Sequence, residues 1–504
     1  MITRFFLSTY LILLPALGLA ELAMPLPNLA KWESYPKEYC PHVGQTFSEK
    51  ERFLNIIKLN EFMSSDDENA SFRSKFKQFV LASFLIKGGS KQRKILDKID
   101  QEMDIFLARG KKFDPQMDEN NLSRAKTNMW VILVLEKLFG MSLAVTDPSL
   151  GYSLLYPLTD DLFDNPQVKK EDKKRFVQAF DKQIVTGNMP IDEIEGLDAE
   201  LKPLYQKIWQ AFALIEKNYD RKKYPELYQS LVNLHRSQIQ STIQQLPKGS
   251  SPAPLDTLAG RQFLSDVTDI SFLKGALSVR SDAFLVKGHL HDQEISFANH
   301  FGAISQLVND IGTVAEDIEK ENHYTMANLA YATAKAKGKL QSPEFKETFD
   351  TFTNRVFWYV HEVFEYPEHK AIVAFRKQKY IDFYDNIRLY MTVKFIMAVA
   401  KNAEFHSEAF LNHMRVFSPL PFTLLGKLQV LQEKQIKLSD AEKKKLHDEI
   451  ESGTKGELKE LFSKIVEDGE VNNVILPGAG DKPGLRTNIR RWLFHVLTGF
   501  GRKK

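Results

Sequence analysis

The chain has 504 residues, 43% hydrophobic and 26% charged, which is enough for a large buried core and too apolar for a disordered polymer. With 68 Lys and Arg against 65 Asp and Glu, the net charge of +3 gives none of the field that a nucleic-acid binder uses, so no nucleic acid is expected as a partner. One cysteine, Cys40, excludes an intrachain disulfide framework and a Cys-rich zinc module.

Residues 5–20 (FFLSTYLILLPALGLA) follow Arg4 and end in small residues before Glu21. That is the pattern of a secretory signal peptide or N-terminal anchor over 1–20, and the run is short for a span of about 20 residues. It predicts an exported (periplasmic or secreted) or membrane-associated chain. A true start at Met24 would instead make the chain cytoplasmic.

Apolar residues then recur at three- and four-residue spacing through 71–86, 92–108, 122–144, 171–186, 200–218, 224–245, 259–287, 292–320, 325–337, 344–365, 379–402 and 424–436. Each stretch predicts a helix, and alternating strand patterns are scarce. The fold class is therefore all-α: a large helical bundle over 45–417 and a more charged helical C-terminal extension over 418–504. Breaks fall at Pro247–Thr257 (PKGSSPAPLDT), Ser418–Pro421 and Pro477–Gly484. Lys482–Lys504 holds no acid and sets Arg486, Arg490, Arg491 and Arg502 around Trp492, Leu493 and Phe494. It suits contact with an anionic membrane surface or docking as a terminal helix.

Two polar clusters carry candidate chemistry. The first is Asp160-Asp161-Leu162-Phe163-Asp164, with Lys169, Lys170, Lys173, Lys174 and Arg175 downstream. On a helix Asp160 and Asp164 share a face, and three carboxylates so close need a cation. Mg²⁺ accepts such oxygens and keeps water or phosphate oxygens besides. The alternative is a helix start capped by Thr159, with acids in its first turn. The second cluster runs Asn309-Asp310-Ile311-Gly312-Thr313-Val314-Ala315-Glu316-Asp317. Asn309, Thr313 and Asp317 recur every four residues and line one helical stripe of oxygen donors. An ordinary amphipathic helix with a polar face gives the same pattern.

Together the clusters resemble the class I isoprenoid synthases: trans-prenyltransferases, squalene/phytoene synthases and class I terpene synthases. Asp160, Asp161 and Asp164 match their first, DDxxD-like motif. Asn309, Asp310 and Thr313 match the cyclase form of the second, with Asp317 where Glu is usual. Lys274-Gly275 is similar to the Lys-Thr pair of prenyltransferases, Phe301-Gly302 to their Tyr-Gly, and Gln306 to the Gln before their second acidic motif. The resemblance is strongest over 150–175 and 255–335. It implies Mg²⁺ held by Asp160, Asp161, Asp164, Asn309, Thr313 and Asp317. It implies a prenyl diphosphate substrate contacted by Lys274, Lys169, Lys170 and Arg261, with Arg280 as the rival to Arg261. Against the prenyltransferase form, Asn309 and Thr313 replace two acids and lower the charge of the second motif.

The implied reaction is ionisation of the diphosphate ester, leaving an allylic cation that needs a dry, apolar wall. The densest aromatic run, Phe352, Phe357, Trp358, Tyr359, Phe364 and Tyr366, fits a core better than such a wall. His361-Glu362-x-x-Glu365, with Glu368 and His369, lacks the second histidine of a zinc helix. The alternative function is a non-catalytic helical protein that keeps the fold and binds a lipid or a partner.

Overall fold

The computed structural model describes residues 29–41, 46–63, 89–164, 168–187, 201–246, 250, 252–253, 257–374 and 376–434, with a few positions between 441 and 456. The leader over 1–20, the helix expected over 71–86 and the basic stretch 482–504 lie outside the described residues. Among the described residues every element is helical, apart from one isolated antiparallel bridge between Gln245 and His323. No described helix is long and apolar enough to cross a membrane.

The described chain divides into two compact units. The first takes the described parts of Met1–Tyr35, Ser90–Leu329 and Glu362–Tyr384. Its helices are α1 (Leu29–Ser34), α3 (Gly89–Phe113), α4 (Glu119–Leu138), α5 (Asp147–Asp164), α6 (Lys170–Thr186), α7 (Lys202–Glu216), α8 (Pro225–Gln240), α9 (Leu258–Lys287), α10 (Asp292–Gly312), α11 (Val314–Glu316) and α14 (Pro367–Ala374). The second takes the described parts of Pro36–Gly89, Ala330–His361 and Asp385–Lys504. It contains α2 (Glu49–Met63), most of α12 (Leu329–Ala336), α13 (Pro343–Glu365) and α15 (Gln378–Lys401), and all of α16 (Glu408–Arg415) and α17 (Phe422–Lys434).

Helix starts in the first unit follow local chemistry. Asp118 accepts the Asn121 N–H ahead of α4, and Thr257 accepts the Gly260 N–H ahead of α9. His291 and Glu294 form a reciprocal capping box for α10. Gly187 and Gly288 end α6 and α9 with φ of 78° and 77°.

The first unit is centred on α9, which packs on α10, α8, α4 and α5. Gly275 of α9 meets Gly302 of α10 so closely that a Cβ built on Gly302 would lie 2.1 Å from the Gly275 carbonyl oxygen. No side chain separates the two backbones there, and they approach more closely than ordinary helix pairs at about 8–10 Å. Phe272, Phe284, Phe297 and Phe301 are fully buried around this pair. Trp32 of α1 is 2% exposed and stands edge-on to Phe272.

Of the aromatic run, Phe357, Tyr359 and Phe364 are core, while Phe352, Trp358 and Tyr366 are half-buried. Phe364 packs edge-on to Phe297, Phe301 and Tyr384 in the first unit. In the second unit Phe357 stacks on Phe395 at 4.7 Å. That unit also buries an Asp350–His406 pair at 2.8 Å, with Asp350 accepting the Ser407 N–H.

Candidate functional site

The first motif closes α5. This helix runs unbroken through Pro157, and Thr159 is buried inside it with its hydroxyl donating to the Leu155 carbonyl. Thr159 is therefore not an N-cap, and the acids stand at the C-terminal end of a helix, where the dipole disfavours negative charge. Cations answer that cost locally. Arg124 of α4 pairs with both Asp160 and Asp161, and Asn121 donates to Asp161 at 2.5 Å. Lys173 donates to the Phe163 carbonyl. Burial opposes the charge of Arg124, but Asp160, Tyr156 and Asp161 outweigh it and raise its pKa. The Asp164 and Lys170 side chains lie outside the described residues, and Lys169 is exposed ahead of α6.

The second motif keeps the i→i+4 backbone bonds from Asn309 to Thr313 and from Thr313 to Asp317, but its turns are irregular. α10 ends at Gly312, Thr313 leaves helical geometry (φ −108°, ψ 8°), α11 lasts three residues, and a π turn spans Asp317–Glu321. Asn309, expected as an inward ligand, is exposed. Thr313 donates to Asp317 at 2.8 Å. The inward residue is Asp310, 2% exposed, with Oδ1 accepting from Gln306 at 2.7 Å and Oδ2 buried without a hydrogen-bond partner. Burial first, then the nearby charge of Asp317, pushes the Asp310 carboxyl up to about 8, against the opposing effects of Gln306 and Lys274. A signal for this was present. Ala303, Leu307, Asp310 and Val314 follow the 4-3-4 spacing of a buried seam, so the aspartate falls on the apolar face.

Asp310 opens on a partly enclosed cavity of about 20 Å³ lined by Gln244, Ile270, Ser271, Lys274, Gln306, His323 and Thr325. The π turn and the left-handed Asn322 (φ 49°) reverse the chain and bring His323 back over the site. The His323 N–H donates to the Asp317 carbonyl and the Tyr324 N–H to the Gln244 carbonyl. Burial, helped by Lys274, lowers the His323 pKa to about 4, so the ring is neutral at physiological pH. π turns of this kind recur at functional sites.

Both motifs belong to the first unit. Asn128 of α4 contacts Asp282 of α9, and Lys287 lies over Phe139 just past α4, so α4 and α9 run in the same direction. Going back along α4 to Arg124 and Asn121 therefore moves toward the middle of α9, where Lys274 stands. α10 returns antiparallel and carries Asp310 beside Lys274. Arg261 and Arg280 do not line the cavity beside Asp310. Arg261 is exposed, thirteen residues or about 20 Å along α9 from Lys274. Arg280 is buried beside the Phe284 ring, with Glu226 as its charged neighbour.

Among the described residues no group of three or more His, Cys, Asp and Glu side chains is arranged to hold a metal. The donors present still fit Mg²⁺ in kind, because this ion commonly takes one or two carboxylates and completes its shell with water and substrate phosphate. The unpartnered Asp310 oxygen near Asp317 is such a donor. The His361-Glu362 motif is committed elsewhere: Glu362 bonds Lys31 and Tyr35, and His369 bonds Ser296 and the Val363 carbonyl. Sequence reasoning missed Arg124, Asn121, Gln244, His323 and Thr325, which lie outside both motifs and join them only through packing. Compared with family models, curated proteins and solved structures, the chain matches none.

Proposed function

We propose that the α5–α9–α10 end of the first unit binds a prenyl diphosphate with Mg²⁺ and ionises it, as a class I isoprenoid synthase that cyclises one substrate or couples two. What supports this reading is that one unit carries two adjacent carboxylates at the end of α5, Asp160 and Asp161, and a buried Asp310 with one unpartnered oxygen beside Lys274. Asp160, Asp161, Asp310 and Asp317, with the Thr313 hydroxyl, would hold the metal. Bound there, Mg²⁺ would neutralise the phosphate oxygens and make diphosphate a better leaving group. The Lys274 ammonium supplies fixed positive charge beside Asp310 and favours the departing anion.

The test is incubation of the chain with ten- to twenty-carbon prenyl diphosphates and Mg²⁺, following diphosphate release and organic products. Release that disappears in Asp160→Ala/Asp164→Ala is the expected result. No release at any chain length removes the catalytic reading.

A second reading, a non-catalytic helical protein on the same fold that binds a lipid or partner, draws on two observations. Arg124 already neutralises Asp160 and Asp161, and the cavity beside Asp310 has room for a water rather than a prenyl chain. Arg124 gives a separate handle. If Mg²⁺ competes with its guanidinium for the aspartates, Arg124→Gln binds Mg²⁺ or Mn²⁺ about tenfold more tightly by calorimetry. Unchanged affinity would mean that the ion does not use this pair.

A further inference from the structure

We propose that the cavity between α9, α10 and the 323–325 segment is a specific site for one water molecule, held by Asp310 Oδ2 and Thr325 Oγ1. The assignment rests on no reading of the reaction. Both atoms are buried, their residues line the same cavity, and neither atom has a protein hydrogen-bond partner. Their residues are 2% and 4% exposed, so bulk solvent does not serve them. A buried polar atom left without a partner is costly, and native interiors satisfy such atoms with protein groups or ordered water.

The volume sets the occupant. About 20 Å³ exceeds the ~10–15 Å³ that admits one water and excludes a phosphate or an organic ligand. The lining sets the chemistry. Lys274, Gln244, Gln306, Ser271 and His323 complete a polar wall, with Ile270 as its apolar member. Water offers two donors and two acceptors and serves a carboxyl and a hydroxyl at once.

The fold holds this place open from both sides. Gln306 fixes Asp310 through Oδ1, which leaves Oδ2 for the cavity. Asn328 accepts the Thr325 N–H at 2.9 Å and donates to the His323 carbonyl at 2.9 Å, fixing the opposite wall.

The test uses the full chain, freed of metal by chelation, and turns on a sign. Thr325→Val keeps the shape and removes the hydroxyl. With a water in place, the variant loses a hydrogen bond and its Tm falls by about 1–3 °C. With a dry cavity, the variant loses only an unsatisfied hydroxyl and its Tm holds or rises. A crystal structure of the metal-free chain gives the second readout. A density peak within hydrogen-bond distance of both Asp310 Oδ2 and Thr325 Oγ1 supports the site. A cavity without that peak, or a Tm that does not fall in Thr325→Val, overturns it.

Discussion

Gly302→Ala is expected to lower the stability of the chain by about 3 kcal/mol, a large effect for one methyl group. The added Cβ would lie 2.1 Å from the Gly275 carbonyl oxygen and 3.0 Å from the Ala276 Cα. Both are backbone atoms of α9, so no rotamer change relieves the clash and the helices must separate. Gly275→Ala meets the reciprocal wall, the Gly302 oxygen at 2.4 Å and the Gln306 Cβ at 2.7 Å. Gly456→Ala is the control, since nothing lies within 4 Å of its Cβ position, and a helical Gly→Ala change there is neutral or slightly stabilising. Differential scanning calorimetry of the three variants reads the result. A Gly302→Ala chain that melts with the parent would mean that α9 and α10 do not cross at these glycines. The separation has a further consequence, because the same crossing seats Lys274 next to Gln306 and Asp310.

Asp310→Asn is expected to act in opposite directions on stability and on turnover. The Asp310 carboxyl sits at about 8 in the folded chain, against about 3.9 when unfolded, so between those values the folded state holds the extra proton. Its contribution to stability is fully present below about pH 4, declines as pH rises toward 8, and is level beyond. His323 has the opposite sign. Its folded value of about 4 lies below the ordinary ~6.5, so stability from this group rises across that interval and is level above it. The two oppose each other in the acid range, and the decline from Asp310 is not offset by His323 between about pH 6.5 and 8. Glu136, pushed up to about 8 mainly by burial, declines over the same range. The asparagine variant therefore flattens the slope without abolishing it.

Asparagine keeps the acceptor that Gln306 uses and cannot ionise. At pH 8, metal-free Asp310→Asn should be more stable than the parent by about 2 kcal/mol, and near pH 4 the two should converge. Under the proposed function the same change removes a metal ligand and lowers turnover by about a hundredfold or more. Thermal melts from pH 4 to 9 and a diphosphate-release assay test the two halves separately. Equal melts at pH 8 would refute the buried carboxyl. Higher stability with undiminished diphosphate release would remove Asp310 from the reaction.

The sequence by itself determined the all-helical class and most helix positions. The apolar spacing over 171–186 and 259–287 lies within one residue of α6 and α9 at each end. Such periodicity is local, because a helix of given phase must bury the same face wherever it docks. Polar clusters at 160–164 and 309–317 were likewise visible as strings of oxygen-bearing residues. Which of those side chains meet a partner was decided elsewhere. Asn309 and Asp310 both lie in α10, where the 4-3-4 apolar spacing turns Asp310 to the buried seam and leaves Asn309 facing water. The π turn that begins at Asp317 then sets what comes back over Asp310.

The Arg124 clamp on Asp160 and Asp161 was equally out of reach. It depends on α4 and α5 lying antiparallel, which no motif in either helix encodes alone. The return of His323 over the cavity depends on a left-handed Asn322 and on bonds to the 244–246 segment, more than seventy residues earlier in the chain. Local hydrogen-bond periodicity makes the helices. Contacts between residues far apart in the chain decide which carboxyls are paired, which are buried and which face the cavity, and only the tertiary structure contains those contacts.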